Sequence, residues 1–284
     1  AIEHHTANAA VLEQGCKALT ELSCPNAANQ ATIAKKGGID VILTGMKSHP
    51  DKPSVLETCF VALSNLAVNN DNKQAIESGG GIEAVLDAMK LWPANASLQK
   101  QGCWALKNLA TNEANKGKIA DRGGIDVILA ALASHPQDAA VQEQGVWVMR
   151  NLAINNENKV KIAAAGGISA VAKAMLAFPA SAAVQKQGCS VLRNLAVNND
   201  NKTTITQSGG LEAVLQAMFR HVSHVGVQEQ GCLALYNLSL HAENLAKLRE
   251  CRVLHGVSAR TVVDNAIDRH TDCQKIQDRG RDVL

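Results

Sequence analysis

Five asparagines recur at one position of a repeating sequence pattern, among apolar residues that predict a helix. Asn is a poor residue for the interior of a helix because its amide competes for nearby backbone groups. A primary amide has donors and an acceptor, so one side chain can satisfy both the C=O and the N–H of a peptide unit. The chemistry that this pattern offers is recognition of a polypeptide backbone. The five residues are Asn65, Asn108, Asn151, Asn194 and Asn237.

Other side chains keep a fixed distance from these asparagines. Residues four and seven positions before Asn share its helix face, and the residue directly before Asn is basic in three successive copies. Arg and Lys can bind carboxylate or phosphate, so the pattern predicts a surface for an extended, acidic or phosphorylated peptide. A solvated charged face explains the basic residues equally well. Besides the asparagines, the predicted surface contains Gln101, Gln144, Gln187, Trp104, Trp147, Lys107, Arg150, Arg193 and Tyr236.

Residues that could carry covalent or metal chemistry are explained by packing. Cys103, Cys189 and Cys232 share one repeat position with Phe60 and Val146, so their thiols are predicted to be buried and reduced. The sequence has no phosphate-binding loop, nucleophile elbow, kinase signature or paired metal-ligand motif. We therefore predict a non-enzymatic protein without metal or cofactor. Reduced thiols favour a cytoplasmic or nuclear location.

Composition argues against several classes of partner. The chain has 284 residues, 46% of them hydrophobic, and a formal net charge of +2. This charge is too small to indicate binding of nucleic acid or of a membrane surface. A bilayer-spanning helix needs about 18 or more apolar residues in succession, and no such stretch or signal-peptide pattern is present.

A repeat of 43 residues organises the chain, since the asparagines and the series Ile33, Ile76 and Ile119 both keep this step. Each copy predicts three helices. The first begins at sequences such as NNENK, where Asn can cap free N–H groups, and it ends at a Gly pair suited to a left-handed cap. The second ends before a Pro. The third is the longest, and it carries the Asn and a small residue that lets a neighbouring helix come close.

The repeat also predicts the domain organisation. No single copy can bury its apolar face, so stacked copies share one core and form a single domain over residues 1–284. Residues 1–24 are a partial N-terminal repeat, and residues 25–240 are five full repeats. Residues 241–284 are a degenerate repeat that forms a polar cap or joins further sequence.

The segment QGCWALKNLATNEANKGKIADRGGIDVILAAL, Gln101 to Leu132, resembles an armadillo repeat, the unit of β-catenin and importin-α. The resemblance covers nearly the whole chain. It implies an all-α fold, a right-handed superhelical solenoid of three-helix repeats, whose third helices line a concave groove. It also implies that the recurring Asn hydrogen-bonds the backbone of a peptide in this groove. The alternative is that each amide ties its helix to the neighbouring one and supports the solenoid.

The function predicted from these observations is a protein-interaction scaffold that binds an extended segment of a partner. The alternative is a structural armadillo segment of a larger protein, such as a multidomain kinase or a cytoskeletal assembly. A nuclear import adaptor is less favoured because the Trp four residues before Asn, typical of these adaptors, is present only as Trp104 and Trp147. The sequence does not determine the oligomeric state.

Overall fold

The structure is a computed structural model that describes residues 5–283. Within this range the chain forms nineteen α-helices, one 3-10 turn and one isolated bridge between Arg252 and Ser258. Residues 1–4 and 284, which belong to the predicted partial first repeat and to the predicted C-terminal cap, lie outside the described residues. The described helices follow the three-helix pattern expected from the sequence. The chain divides into two compact units, residues 1–151 and 152–284.

The first unit is built around the third helices of successive repeats. α4 (Pro53–Leu66) packs against both α1 (Ala9–Ser23) and α7 (Ala96–Leu109), and the second helices α3 (Gly38–Ser48) and α6 (Gly81–Leu91) pack against α4 and α7. Its helices are α1 (Ala9–Ser23), α2 (Ala27–Lys35), α3 (Gly38–Ser48), α4 (Pro53–Leu66), α5 (Asn70–Ser78), α6 (Gly81–Leu91), α7 (Ala96–Leu109), α8 (Glu113–Asp121), α9 (Gly124–Ser134) and α10 (Ala139–Leu152), whose last residue opens the second unit.

The second unit repeats this arrangement, with α16 (Val225–Ser239) packed between α13 (Ala182–Leu195) and α19 (Gln274–Arg281). A 3-10 turn, Leu254–Gly256, replaces the Gly pair in the last copy. The helices of this unit are α11 (Asn156–Ala164), α12 (Gly167–Ala177), α13 (Ala182–Leu195), α14 (Asn199–Gln207), α15 (Gly210–Arg220), α16 (Val225–Ser239), α17 (Ala242–Glu250), α18 (Ala259–Arg269) and α19 (Gln274–Arg281).

The predicted start and stop signals of the first helices are confirmed. The Asn112 side chain accepts a hydrogen bond from the Asn115 N–H at 3.3 Å, so it caps α8, and the equivalent Asn residues cap α5, α11 and α14. The first residue of each Gly pair is left-handed, with φ between 76° and 83°. Glycine adopts this conformation without the steric cost that a Cβ adds.

The close approach expected at the small residue of the third helix is also confirmed. A Cβ on Gly102 would lie 2.5 Å from the Met89 sulfur, and a Cβ on Gly188 would lie 2.4 Å from Met175 Cγ. The neighbour is therefore the second helix of the same repeat. Any side chain larger than hydrogen at these glycines would force Met89 or Met175 to move.

The cysteines behave as packing residues. Cys103, Cys189 and Cys232 are fully buried, as predicted, and burial raises the pKa of each thiol to about 12. Cys16 Sγ lies 3.7 Å from Cys59 Sγ, and both are free thiols. These side chains fill an apolar core of Val, Leu, Ile, Met and Ala.

A helix that spans a membrane must be both long and apolar. Within residues 5–283 no single helix meets both requirements, and one bent pair, Asn156–Ala164 with Gly167–Ala177, meets them only when its two helices are taken together.

Candidate functional site

The recurring asparagines connect consecutive third helices. Asn108 Nδ2 donates to Ser64 O at 2.8 Å, and Asn151 Nδ2 donates to Lys107 O at 3.0 Å. Asn237 Nδ2 donates to Arg193 O at 3.0 Å, and Asn65 Nδ2 makes a longer bond of 3.4 Å to Thr20 O. In each case the acceptor directly precedes the equivalent position of the earlier repeat.

Three of these acceptors, Ser64 O, Lys107 O and Arg193 O, lie in the last turn of a helix, where carbonyls lack a backbone partner, whereas Thr20 O also accepts from the Ser23 hydroxyl at 3.0 Å. The N–H of Thr111 bonds Asn108 O, and the N–H of Val68 bonds Asn65 O, so neither reaches the carbonyl one residue earlier. The Asn side chain of the next repeat donates a hydrogen bond to that carbonyl. Each Asn thus caps the C-terminal end of another helix. This is the arrangement expected if the amides tie neighbouring helices together and support the solenoid.

Each amide keeps hydrogen-bonding capacity beyond this cap. One N–H of Nδ2 is used, and the second is left for another acceptor. Among the described residues, Oδ1 of Asn65, Asn108 and Asn237 accepts no hydrogen bond, so these three can still accept from a peptide N–H. Binding of a peptide backbone therefore stays a prediction that the cap does not contradict.

The basic residues before Asn fold back onto their own helix face. Arg150 Nη1 donates to Asn151 Oδ1 at 3.1 Å, and Arg193 Nη2 donates to Asn194 Oδ1 at 2.9 Å. Arg193 also donates to Gln230 Oε1 at 2.8 Å. Their guanidinium groups are thus oriented on the third-helix face, and their binding of carboxylate or phosphate stays a prediction.

Lys107 lies beside two tryptophans in the first unit. Its Nζ is 4.4 Å from the centre of the Trp147 ring and 5.9 Å from that of Trp104, within reach of a cation–π attraction. The same Nζ donates to Gln144 Oε1 at 3.0 Å. Burial lowers the pKa of Lys107, and the Glu143 carboxylate opposes this shift. The predicted residues of α7 and α10 are therefore brought together around one ammonium group.

A cavity of about 280 Å³ opens beside this ammonium group. Among the described residues no side chain that lines it is acidic, and Gln101 contributes a buried Oε1 without a hydrogen-bond partner. The Lys107 ammonium has three donors and uses one on Gln144. The cavity thus offers cationic donors and an indole ring to a ligand group. It is lined by Lys100, Gln101, Trp104, Lys107 and Gln144.

The other predicted residues are distributed along the third helices. Gln187 and Asn194 are mostly buried, with 6% and 8% exposure, and Asn194 Nδ2 has no hydrogen-bond partner among residues 5–283. Tyr236 stacks with Arg279, whose guanidinium carbon is 4.3 Å from the ring centre. In this contact the aromatic residue, Tyr236, directly precedes Asn237, whereas at Lys107 the cationic residue directly precedes Asn108.

Sequence reasoning missed a second row of glutamines that lies two residues before the first. Gln99 Nε2 donates to Met89 O at 2.8 Å and to Trp92 O at 2.9 Å, and so caps the end of α6. The same 43-residue step identifies this row in the sequence, but its position on the buried side of the third helix is visible only in the structure. The other members are Gln142, Gln185 and Gln228.

Residues 5–283 contain no group of three or more His, Cys, Asp or Glu side chains that could hold a metal ion. His135, at a position that recurs as Trp92 and His221, places its Nε2 2.8 Å from Pro93 O and so links two repeats. The rings at this position therefore have a packing role.

Comparisons with known proteins agree with the repeat fold. A family model described as LRRK2 ARM repeat matches residues 77–205. An engineered protein solved by the Northeast Structural Genomics Consortium is 25% identical, with a TM-score of 0.72, over 81% of this chain and 91% of the other. A search among curated proteins found no match.

A second solved structure comes from work on a phosphorylation switch that controls the interaction between cadherin and β-catenin. It has a TM-score of 0.82 and 17% identity, covers 99% of this chain, and is matched over 58% of its own length. At this identity the likeness concerns the fold. Together with the family model, it confirms the predicted all-α armadillo-type repeat fold.

Proposed function

Because the chain is an armadillo-repeat protein, we propose that it is a non-enzymatic scaffold that binds an extended segment of a partner protein along its third helices. The observation that carries this proposal is the cavity beside Lys107. It combines two lysines, amide groups and an indole face without a lining carboxylate. A site of this composition fits an acidic or phosphorylated side chain better than a basic one.

The unused amide groups support an extended backbone as the ligand. Third helices pack about 8–10 Å apart, and two residues of an extended chain span roughly 6.7 Å, so one Asn per repeat can meet about every second or third peptide residue. Oδ1 of Asn65 and Asn108 is available for this contact. A solved structure that concerns the interaction between cadherin and β-catenin has the same fold, which supports a protein as the class of partner.

The competing function is a structural segment of a larger protein. The hydrogen bonds from four of the recurring asparagines to the preceding third helix favour it, because they give these residues a structural role that needs no ligand. A nuclear import adaptor is less favoured, since the Lys107 ammonium already occupies the space beside the Trp147 ring where a basic peptide would bind. The eight free cysteines fit a reducing location, which we propose to be cytoplasmic or nuclear.

Isothermal titration with matched peptides tests this function. The probes are a 15-residue peptide rich in Glu with one phosphoserine, and the same peptide with every acidic residue replaced by Lys and the phosphoserine by Ser. We expect the acidic peptide to bind more tightly. Its affinity should fall as salt is raised, because exposed charges are screened over about 8 Å at physiological ionic strength.

Charge variants locate the binding. Arg150→Glu combined with Arg193→Glu should lower the affinity by about 10-fold or more, since charge-assisted hydrogen bonds contribute about 1.5–3 kcal/mol. Lys47→Glu is the matched control, because Lys47 is an exposed residue of the second helix α3. Tighter binding of the basic peptide, or equal loss in the control, would show that the scaffold does not act as proposed.

A further inference from the structure

Two tryptophans on consecutive third helices flank a single ammonium group. The Lys107 Nζ lies 4.4 Å from the ring centre of Trp147, on α10, and 5.9 Å from that of Trp104, on its own helix α7. Both indoles are partly exposed, so part of each ring is open to a ligand. Indole faces attract cations more strongly than other aromatic side chains do. The indole pair is therefore a cation site that the chain fills with its own lysine.

The polar groups around the ammonium group also suit a cation. Gln144 Oε1 accepts from Lys107 Nζ at 3.0 Å. Gln101 Oε1, which lines the adjoining cavity, is buried and has no hydrogen-bond partner among residues 5–283. Burial lowers the pKa of Lys107, and the Glu143 carboxylate raises it. Two amide oxygens and a carboxylate would thus stay beside the indole pair if the ammonium group were removed.

The basic residues at the equivalent positions of later repeats make different contacts. Arg150 Nη1 donates to Asn151 Oδ1 at 3.1 Å, and Arg193 Nη2 donates to Asn194 Oδ1 at 2.9 Å. Lys107 turns toward the next third helix, where it meets an indole. Of the positions four residues before the recurring Asn, only those on α7 and α10 hold Trp. The contact of a cation with two indoles is therefore particular to this pair of repeats.

The fold does not require a cation at this position. Ser64 and Tyr236 occupy it in other repeats, and the third helices α4 and α16 form with these residues in place. The carbonyl of Lys107 accepts from Asn151 Nδ2, and this backbone contact is open to any side chain at position 107. The Lys107 side chain can therefore be exchanged while the contact that joins α7 to α10 is kept.

We propose that Lys107 selects the charge of the partner segment by occupying the indole pair itself. Its ammonium group lies where a Lys or Arg of a bound segment would contact Trp147, so a basic segment has to displace it and gains no net cation–π contact. An acidic side chain can pair with the same ammonium group in place. Charge selection by Lys107 rests on the proposed function, because it concerns the same third-helix face. One side chain, rather than the summed charge of the face, then decides which segments bind.

Charge-matched variants test the proposal with the Lys-rich peptide of the calorimetric experiment. Lys107→Gln removes the cation from the indole pair. Lys100→Gln removes a cation that lines the same cavity but has no ring contact among the described residues. Both variants lose one positive charge, so summed charge affects them alike. We expect Lys107→Gln to bind the basic peptide about 10-fold more tightly than Lys100→Gln does, because the vacated rings offer a cation–π contact of this magnitude.

Two further variants connect the gain to the rings. Lys107→Gln combined with Trp147→Leu should bind the basic peptide no more tightly than Lys100→Gln, and Leu233 shows that the repeat accepts Leu at this position. Lys107→Arg keeps a cation at the rings and should bind the basic peptide as weakly as the wild type. Circular dichroism and the melting temperature verify that each variant is folded.

The proposal and the proposed function can fail separately. A wild type that binds neither peptide would overturn the proposed function, whereas a ring-dependent gain in Lys107→Gln would still support charge selection by Lys107. Binding of the acidic peptide without any gain for the basic one in folded Lys107→Gln would overturn charge selection alone. An equal gain in Lys100→Gln, or a gain that survives Trp147→Leu, would also overturn it, because summed charge would then explain the preference.

Discussion

Asn151 Nδ2 lies 3.0 Å from Lys107 O, so the side chain of one third helix caps the final turn of the third helix before it. Lys107 in turn reaches forward, and its Nζ lies 4.4 Å from the Trp147 ring of the helix that carries Asn151. The two helices are therefore joined in both directions. The backbone contact holds them together, and the ammonium group marks the surface that a ligand would meet.

The cap predicts a difference between two asparagines. Asn108→Ala removes the donor to Ser64 O, and an unsatisfied carbonyl destabilises the fold by about 1–3 kcal/mol. The higher helix propensity of Ala offsets up to about 0.7 kcal/mol of this loss. Chemical denaturation should show a net loss of about 1–2 kcal/mol. Asn194→Ala is the control for the cap, because Asn194 Nδ2 makes no hydrogen bond among the described residues. This variant loses only the bonds that Oδ1 accepts from the partly exposed Arg193, whose guanidinium can turn to water, so its loss of stability should be smaller. Equal losses would contradict the capping role.

The buried thiols predict a loss of stability at high pH. The folded pKa of Cys103 is about 12, against 9.0 for an ordinary thiol. Between these values the unfolded chain releases a proton that the folded chain keeps, so the contribution of Cys103 is complete below pH 9 and falls as the pH rises toward 12.

The variant Cys103→Val isolates this effect, since Val146 occupies the same position in another repeat. From pH 8 to pH 10 the wild type should lose about 1 kcal/mol more than the variant in urea denaturation. Parallel loss in both proteins would mean that the thiol ionises in the folded state.

A histidine occupies the capping position of α17. His241 has the extended backbone of an N-cap, but its side chain accepts no hydrogen bond from the helix, and its buried Nδ1 has no partner among residues 5–283. His241→Asn should therefore raise the unfolding free energy by about 0.5–2 kcal/mol, because Asn caps the equivalent helices α5, α8, α11 and α14.

His224 gives the matched comparison. Its Nδ1 already accepts the Val227 N–H at 3.3 Å, so His224→Asn should change stability less. Thermal denaturation of the two variants measures the difference. A gain at His224 as large as at His241 would show that the missing cap is not the cause.

Much of the fold could be predicted because the repeat presents each signal several times. The Asn caps, the left-handed glycines and the contact of Gly102 with Met89 all follow from local rules of backbone and packing geometry. The carbonyl partner of Asn108 could not be predicted in the same way. This partner depends on how the helices of Asn108 and Ser64, two residues 44 positions apart, are placed relative to each other. An amide group can bond a helix carbonyl or a bound peptide equally well.

The candidate site shows the same limit. The spacing in the sequence placed Lys107, Trp104 and Gln101 on one helix face, and the structure brings Gln144 and Trp147 to them from the next helix. The sequence could not show that Lys107 would turn toward the indole rings, nor that Arg150 would bond Asn151. Such side-chain choices depend on local competition between partners of similar strength.

The central claim is that an acidic partner segment binds beside Lys107, and tryptophan fluorescence tests it most directly. Trp92→Phe removes the third tryptophan at a position that holds Phe178 in another repeat, and it leaves Trp104 and Trp147 as reporters. Titration with the acidic phosphopeptide should change the emission saturably, with the same dissociation constant as calorimetry, and Lys107→Gln should weaken both. Calorimetric binding without any change in emission would place the peptide elsewhere and contradict the account.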